Sequence, residues 1–138
     1  MCFSGQSPHP KWNQAIGGGW RQAGLLAAAG HVALDNADAV IRRDHENAKR
    51  LARGWNERTL STLKDQCFVV EDHITNMVFA HCKGDRIKPQ LLADYFAKHN
   101  IQVMPMDEHR VRMVLNLHVS AEDVDRVLDV YGRFQAEL

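Results

Sequence analysis

Hydrophobic and polar residues alternate most regularly between positions 110 and 119. The hydrophobic members are Val111, Met113, Leu115, Leu117 and Val119, and the intervening members are Arg110, Arg112, Val114, Asn116 and His118. Because successive side chains of a β-strand point to opposite faces, this alternation predicts a strand. One face of that strand is expected to pack against helices and the other to meet water or a cleft.

Helical spacing of hydrophobic residues dominates the first half of the chain. A first helix is expected from about Trp20 to Leu34, with small residues on nearly every face, as in a helix that packs closely at an interface. Asn36 is a suitable N-cap for a second helix, and polar residues 56–64 are expected to end it. The hydrophobic stripe of this second helix consists of Val40, Ile41, Ala48, Leu51, Ala52 and Trp55.

Short hydrophobic runs and capping residues predict the remaining elements. Residues 67–70 and 75–82 are expected to form strands, and the second is hydrophobic on both faces, which predicts a central position in a sheet. Pro89 is favoured at the first position of a helix, and Asn100 suits a left-handed conformation at its end. Residues 101–106 predict an edge strand, because they contain a proline.

The last helix is marked by a capping box, which Ser120 and Asp123 can form. Its hydrophobic stripe consists of Val124, Val127, Leu128 and Tyr131. From residue 75 the order is strand, helix, strand, strand, helix. The sequence therefore predicts an α+β fold, with N-terminal helices followed by a small, mainly antiparallel sheet that has helices packed on one face.

Composition narrows the classes of function. The 138 residues suffice for one domain with a hydrophobic core. The net charge of zero gives no general attraction to nucleic acid or to an anionic membrane, and no stretch is long enough to span a bilayer. Three cysteines without disulfide-framework spacing favour a reducing, cytoplasmic compartment. We expect a disordered leader over residues 1–13 and one domain over residues 14–138.

Three consecutive glycines, at positions 17–19, directly precede Trp20 and Arg21. A glycine turn that leads into a helix exposes backbone N–H groups at the positive end of the helix dipole, which suits an anion. The alternative interpretation is that the glycines only allow two backbones to pack closely.

Two groups of residues have the side-chain types of metal ligands. Asp44, His45 and Glu46 are consecutive, but no second cluster has matching spacing, so we interpret them as a solvated polar face. His81 and Cys82 are neighbours on a predicted strand and would point to opposite faces, so they cannot hold one ion together. No metal site is predicted.

Three ordered strings carry a family resemblance: GGGWRQAGLLAAAGHVAL, RRDHENAKRLARG and RMVLNLHVS. They resemble the second half of L-threonine aldolases, which are pyridoxal-phosphate (PLP) enzymes of the aspartate-aminotransferase fold type. The resemblance extends from about Gln14 to the C-terminus, and it implies the small C-terminal domain of that fold. The family's first half has no counterpart here.

The resemblance also implies roles for two arginines. Arg112 occupies the place of the arginine that binds the substrate carboxylate, and Arg21 that of an arginine near the cofactor phosphate, in part across a subunit interface. A planar guanidinium suits the first role because it can donate two hydrogen bonds to one carboxylate. The family commonly has threonine and histidine where Leu115 and Asn116 stand, and a lysine in place of Gln14.

The family's Schiff-base lysine follows a serine-rich strand end, and this motif has no counterpart in the sequence. Lys83 and Gly84 match only its last two letters. The chain is therefore expected to bind no PLP alone and to be inactive alone. The resemblance implies a β-hydroxy-α-amino acid as the small-molecule substrate, which the complete enzyme cleaves to glycine and an aldehyde. The expected partner is a second copy of the chain or a complementing N-terminal half with the lysine.

Two other interpretations stay open. The strand and helix order is close to that of ferredoxin-like domains, which would suit a non-catalytic binding module. A chain of this kind would also suit association with an intact homologue through its Gly/Ala-rich helix.

Overall fold

The computed structural model describes residues 21–59, 68–70, 75–84 and 87–138. The expected leader, Gln14 and the glycine run at 17–19 lie outside these residues. The chain divides into two compact units, Met1–Asp38 and Ala39–Leu138. The elements in chain order are α1 (Gly24–Arg58), β1 (Phe68–Val70), β2 (Met77–Cys82), α2 (Pro89–Lys98), β3 (Met104–Pro105), β4 (Arg110–Val114) and α3 (Ala121–Ala136).

The two helices expected before residue 59 are one helix, α1, so that prediction was wrong. Helix α1 begins later than expected, at Gly24, because Gln22 has a φ of 56°, a left-handed conformation that a right-handed helix does not accommodate. Asn36 does not start a helix, because its side-chain amide donates to the Val32 carbonyl at 2.8 Å, one turn earlier. Asparagine costs well under about 1 kcal/mol inside a helix, so the helix continues through it.

The described strands form an antiparallel sheet in the order β1–β2–β4–β3. The central position of β2 and the edge position of β3 are both as predicted. Strand β3 is shorter than expected because the N–H of Ile101 bonds to the Phe96 carbonyl at 3.0 Å and closes the end of α2. Asn100 has the expected left-handed conformation there, with a φ of 58°.

Strand β4 ends at Val114, five residues before the predicted end. Asn116 causes this, since its carbonyl accepts the N–H of Val119 at 2.9 Å and its side-chain oxygen accepts the N–H of His118 at 2.9 Å. The chain turns there, and Leu117 is left 53% exposed instead of facing the core.

Helices cover one face of the sheet, and the α+β prediction is confirmed. Trp55 of α1 lies at the centre of the core, where its ring stacks on Tyr131 of α3 with centroids 3.7 Å apart. Its indole N–H donates to the Phe68 carbonyl at 3.1 Å. The buried strand residues below these helices are Phe68, Val70, Val78, Ala80, Cys82, Val111 and Met113.

The helices α1 and α3 approach closely at Gly54. A Cβ at this position would overlap the Leu128 side chain and would lie 3.2 Å from the Arg58 guanidinium. Around this crossing, both nitrogens of one edge of the Arg50 guanidinium donate to Asp125, at 2.9 and 2.6 Å.

The predicted capping box at the start of α3 is present, with the N–H of Asp123 donating to the Ser120 hydroxyl at 3.1 Å.

Candidate functional site

The face of the sheet opposite the helices is called the outer face below. Side chains on this face alternate with the buried ones, and all are exposed or half-buried. Strand pairing places Arg112 of β4 between Phe79 of β2 and Met104 of β3. The outer face consists of Val69, Met77, Phe79, His81, Met104, Arg110, Arg112 and Val114.

Arg112 lies on a rigid central strand with its guanidinium on the outer face. Its Nη2 donates to the thioether sulfur of Met104 at 2.9 Å. Its Nε is buried and has no hydrogen-bond partner within the described part of the chain. A thioether is a weak acceptor, so this half-buried cation keeps most of its capacity to donate to a carboxylate.

The neighbouring Arg110 differs, because a carboxylate already compensates its charge. Its Nε donates to Asp107 at 2.6 Å. The Asp107 carboxylate also accepts the backbone N–H of His109 at 2.9 Å, and these bonds hold the pKa of the Asp107 carboxyl below its usual value, the backbone bond most strongly. Of these two arginines on one strand face, Arg112 is the one suited to an external carboxylate.

Leu115 and Asn116, which stand where the family commonly has threonine and histidine, do not contribute those functional groups next to Arg112. Leu115 is buried in the core, and Asn116 forms the turn after β4 through its backbone carbonyl and side-chain oxygen. Neither residue supplies a hydroxyl or an imidazole group to the outer face.

Arg21 belongs to the first unit and is exposed in the turn that precedes α1. It follows the glycine run and lies three residues before the helix begins, rather than in the first helical turn. Its expected role near a cofactor phosphate stays a prediction.

The described residues do not form a metal centre, since no three His, Cys, Asp or Glu side chains among them are arranged to hold an ion. The interpretation of residues 44–46 as a solvated face was wrong for Asp44, which is buried, and holds for the exposed Glu46. Cys82 points into the core, where its thiol donates to the Ile87 carbonyl at 2.7 Å, whereas His81 lies on the outer face.

The described residues also do not fit a complete PLP site. Every lysine among them is exposed, and a Schiff-base lysine is usually buried to lower its pKa. These lysines are Lys49, Lys83, Lys88 and Lys98. None of the helices in the described ranges is long and hydrophobic enough to cross a membrane.

Sequence reasoning singled out Arg112 as a candidate but did not single out Met104, the residue in contact with its guanidinium. The hydrophobic pattern marked the 101–106 region only as an edge strand. The pairing of Met104 with Arg112 depends on the register of β3 against β4, and a strand of two residues carries no pattern from which a register can be read.

Comparison with known proteins identifies related sequences. The family model described as beta-eliminating lyase matches residues 8–83. An uncharacterized protein of Caenorhabditis elegans is 50% identical over 125 residues, which are 91% of this chain and 30% of that protein.

Several relatives are L-threonine aldolases, of which two are described here. Low-specificity L-threonine aldolase 1 of Arabidopsis thaliana is 30% identical over 86% of this chain and 32% of its own length. The low specificity L-threonine aldolase of Escherichia coli K12 is 31% identical over 91% of this chain and 34% of its own length. The resemblance to threonine aldolases is thus confirmed, and the chain spans about a third of the length of these relatives.

Proposed function

Because the chain belongs to the beta-eliminating lyase family, we propose that it is the substrate-carboxylate-binding part of a PLP-dependent, threonine-aldolase-like lyase. The reaction is the cleavage of a β-hydroxy-α-amino acid to glycine and an aldehyde. The names of the aldolase relatives support this substrate class.

One observation carries the proposal: among the described residues, the guanidinium of Arg112 donates to a thioether and has a buried Nε without a partner, whereas those of Arg50 and Arg110 donate to carboxylates. A guanidinium that is held on a strand and left without a carboxylate can bind one from a ligand through two parallel hydrogen bonds. Fixing the carboxylate in this way orients the Cα–Cβ bond of the substrate relative to the reacting groups.

The residues that would hold PLP covalently lie outside the part of the chain that the structure describes, or in another chain. PLP takes up the electrons of the broken bond in enzymes of this kind, and its lysine would come from the remainder of the enzyme, in the same chain or in a complementing N-terminal half. Arg21 would contribute a positive charge near the cofactor phosphate. The partners are then a homo-oligomer or that complementing half, and the chain alone is inactive.

A chimera with the Escherichia coli relative tests this role. The matched region of that aldolase is replaced by this chain, and threonine cleavage is measured. Arg112→Lys removes the two parallel hydrogen bonds that a guanidinium can donate to one carboxylate. It should lower kcat/KM by about 100-fold, the size expected when one partner of a buried charge pair is altered. Arg110→Lys is the matched control on the same strand face and should change kcat/KM by less than about threefold, because Arg110 is already paired with Asp107.

Equal losses in both variants would contradict the role of Arg112. If the chimera does not fold, titration of the chain itself with acetate, followed by the NMR signal of the Arg112 Nε–H group, replaces the assay. An unmoved Arg112 signal at saturating acetate would also contradict the proposal.

A non-catalytic binding module is the second candidate, and the sheet favours it at the level of fold. Strand β4 lies between β2 and β3 and is antiparallel to both, with α2 connecting β2 to β3, which is the split arrangement of ferredoxin-like domains. A fold alone is weak support for a function. A chimera that retains structure and PLP but cleaves no threonine would favour this candidate.

A further inference from the structure

The contact between Arg112 and Met104 involves the edge of the guanidinium that best binds a carboxylate. This edge carries Nε and Nη2. In Arg50 of the same protein, these two nitrogens both donate to Asp125, at 2.9 and 2.6 Å. In Arg112, Nη2 donates to Met104 Sδ at 2.9 Å and the buried Nε has no partner among the residues described.

Strand pairing fixes the position of Met104. It is the directly opposed partner of Arg112, and the next paired residue is Pro105, opposite Val111. The N–H of Met106 donates to the Arg110 carbonyl at 2.9 Å and holds the other end of this short strand. The backbone of Met104 is therefore held in place, while its side chain is 53% exposed and free of close packing on one side.

A methionine is chemically suited to hold a guanidinium without neutralising it. The thioether is a weak, neutral acceptor, and the unbranched side chain has several rotatable bonds. A carboxylate at the same place would form a charge-assisted pair about twice as strong as a neutral hydrogen bond and would compete with a ligand. A leucine of similar size would give the guanidinium no acceptor at all.

We propose that Met104 is a positioning residue for Arg112. Its sulfur orients the Nε–Nη2 edge in the absence of ligand, and it moves aside when a ligand carboxylate takes that edge. This inference rests on the proposed function for the identity of the ligand, an amino acid carboxylate, but the orientation of Arg112 by Met104 can be measured without any ligand.

The test uses the full 138-residue chain with 15N-labelled arginine and acetate as the probe. The variants are Met104→Leu, which removes the acceptor at similar volume, and Met104→Glu, which adds a competing carboxylate. Met106→Glu is the matched control, because Met106 is also an exposed methionine next to β3 but pairs with Arg110 rather than Arg112. Backbone amide spectra check that each variant is folded.

We expect Met104→Leu to shift and broaden the Arg112 Nε–H signal in acetate-free buffer. Acetate binding should be unchanged or up to about fivefold tighter, because a neutral hydrogen bond that is made only without the ligand opposes binding. Met104→Glu should weaken acetate binding by about tenfold or more. Met106→Glu should weaken it by less than about twofold, since an exposed carboxylate out of register acts only through screened charge.

Two results would overturn the proposal: an unchanged Arg112 signal in Met104→Leu without acetate, or equal weakening by the two glutamate variants. Failure of the proposed function gives a different pattern. In that case acetate leaves the Arg112 signal of the unaltered chain unmoved, while Met104→Leu still shifts it in acetate-free buffer and so supports the orienting role.

Discussion

Arg50 at the helix interface and Arg112 on the outer face of the sheet have different partners. Between α1 and α3, Arg50 gives both nitrogens of one edge to Asp125, and Arg58 lies 3.5 Å from Asp129. On the outer face, Arg112 has only the sulfur of Met104 and leaves a buried Nε without a partner in the described chain.

Under the proposed function, this difference distinguishes groups that hold the fold together from a group that binds a ligand. A buried donor without a partner costs stability, by about 1–3 kcal/mol, and stable packing alone does not favour it. The helix interface should therefore lose stability when altered, while the loss of Arg112 should reduce binding and keep or raise stability. The predictions below test that division, beginning with the largest effect.

Gly54→Ala should destabilise the chain by about 1–2 kcal/mol, because the added Cβ would overlap the buried Leu128 side chain and the cost of overpacking exceeds the gain in helix propensity. The free energy of unfolding in urea measures the effect. Gly132→Ala is the matched control: Gly132 is also inside a helix, but nothing lies within 4 Å of an added Cβ there, so this variant should gain up to about 1 kcal/mol from helix propensity. A loss of less than about 0.5 kcal/mol in Gly54→Ala would show that the close crossing does not matter.

Ser120→Ala should cost about 1 kcal/mol, since it removes the hydroxyl that accepts the N–H of Asp123 at the start of α3. The same urea measurement applies. Ser120→Asp keeps an acceptor at the cap and should recover most of the loss. If both variants unfold alike, the capping box contributes nothing and α3 is held by its packing alone.

Arg112→Leu should leave the free energy of unfolding unchanged or raise it by up to about 1 kcal/mol, because it removes a buried donor that has no partner among the described residues. Arg110→Leu is the control on the same strand face and should lower stability slightly, since it breaks the ion pair with Asp107. A clear loss of stability in Arg112→Leu would mean that Arg112 has a structural role and would remove the contrast between the two regions.

The sequence predicted those parts of the fold that depend on local pattern. The capping box at Ser120, the helix start at Pro89 and the left-handed Asn100 each rest on a few neighbouring residues, and all are present. Asn36 was assigned as a cap because asparagine caps helices well, but its amide bonds within α1 instead. Because asparagine is accepted both at a helix cap and inside a helix, its presence alone does not predict which of the two positions it occupies.

The candidate site was predictable only in part for a related reason. Alternation along β4 indicated that Arg112 is on the face opposite the core, as the structure shows. The contact with Met104 depends on strand register, and the buried state of Asp44 on how α1 packs. Both are tertiary effects that no short sequence pattern contains.

The smallest expected effect is on how the free energy of unfolding changes with pH in the acid range. The hydrogen bond from Arg50 lowers the pKa of the Asp125 carboxyl. A lowered pKa in the folded state means that this group adds stability above its unfolded pKa, about 4, and that this stability is lost as the pH falls through the folded value. Arg50→Met should raise the Asp125 pKa towards its ordinary value and flatten the stability profile in that acid window. Side-chain carboxyl signals in NMR titrations measure the pKa directly. Arg112→Met is the control and should leave the pKa of the Asp125 carboxyl lowered, because Asp125 is paired with Arg50. A return of this pKa to its ordinary value in Arg112→Met would contradict the assignment to Arg50.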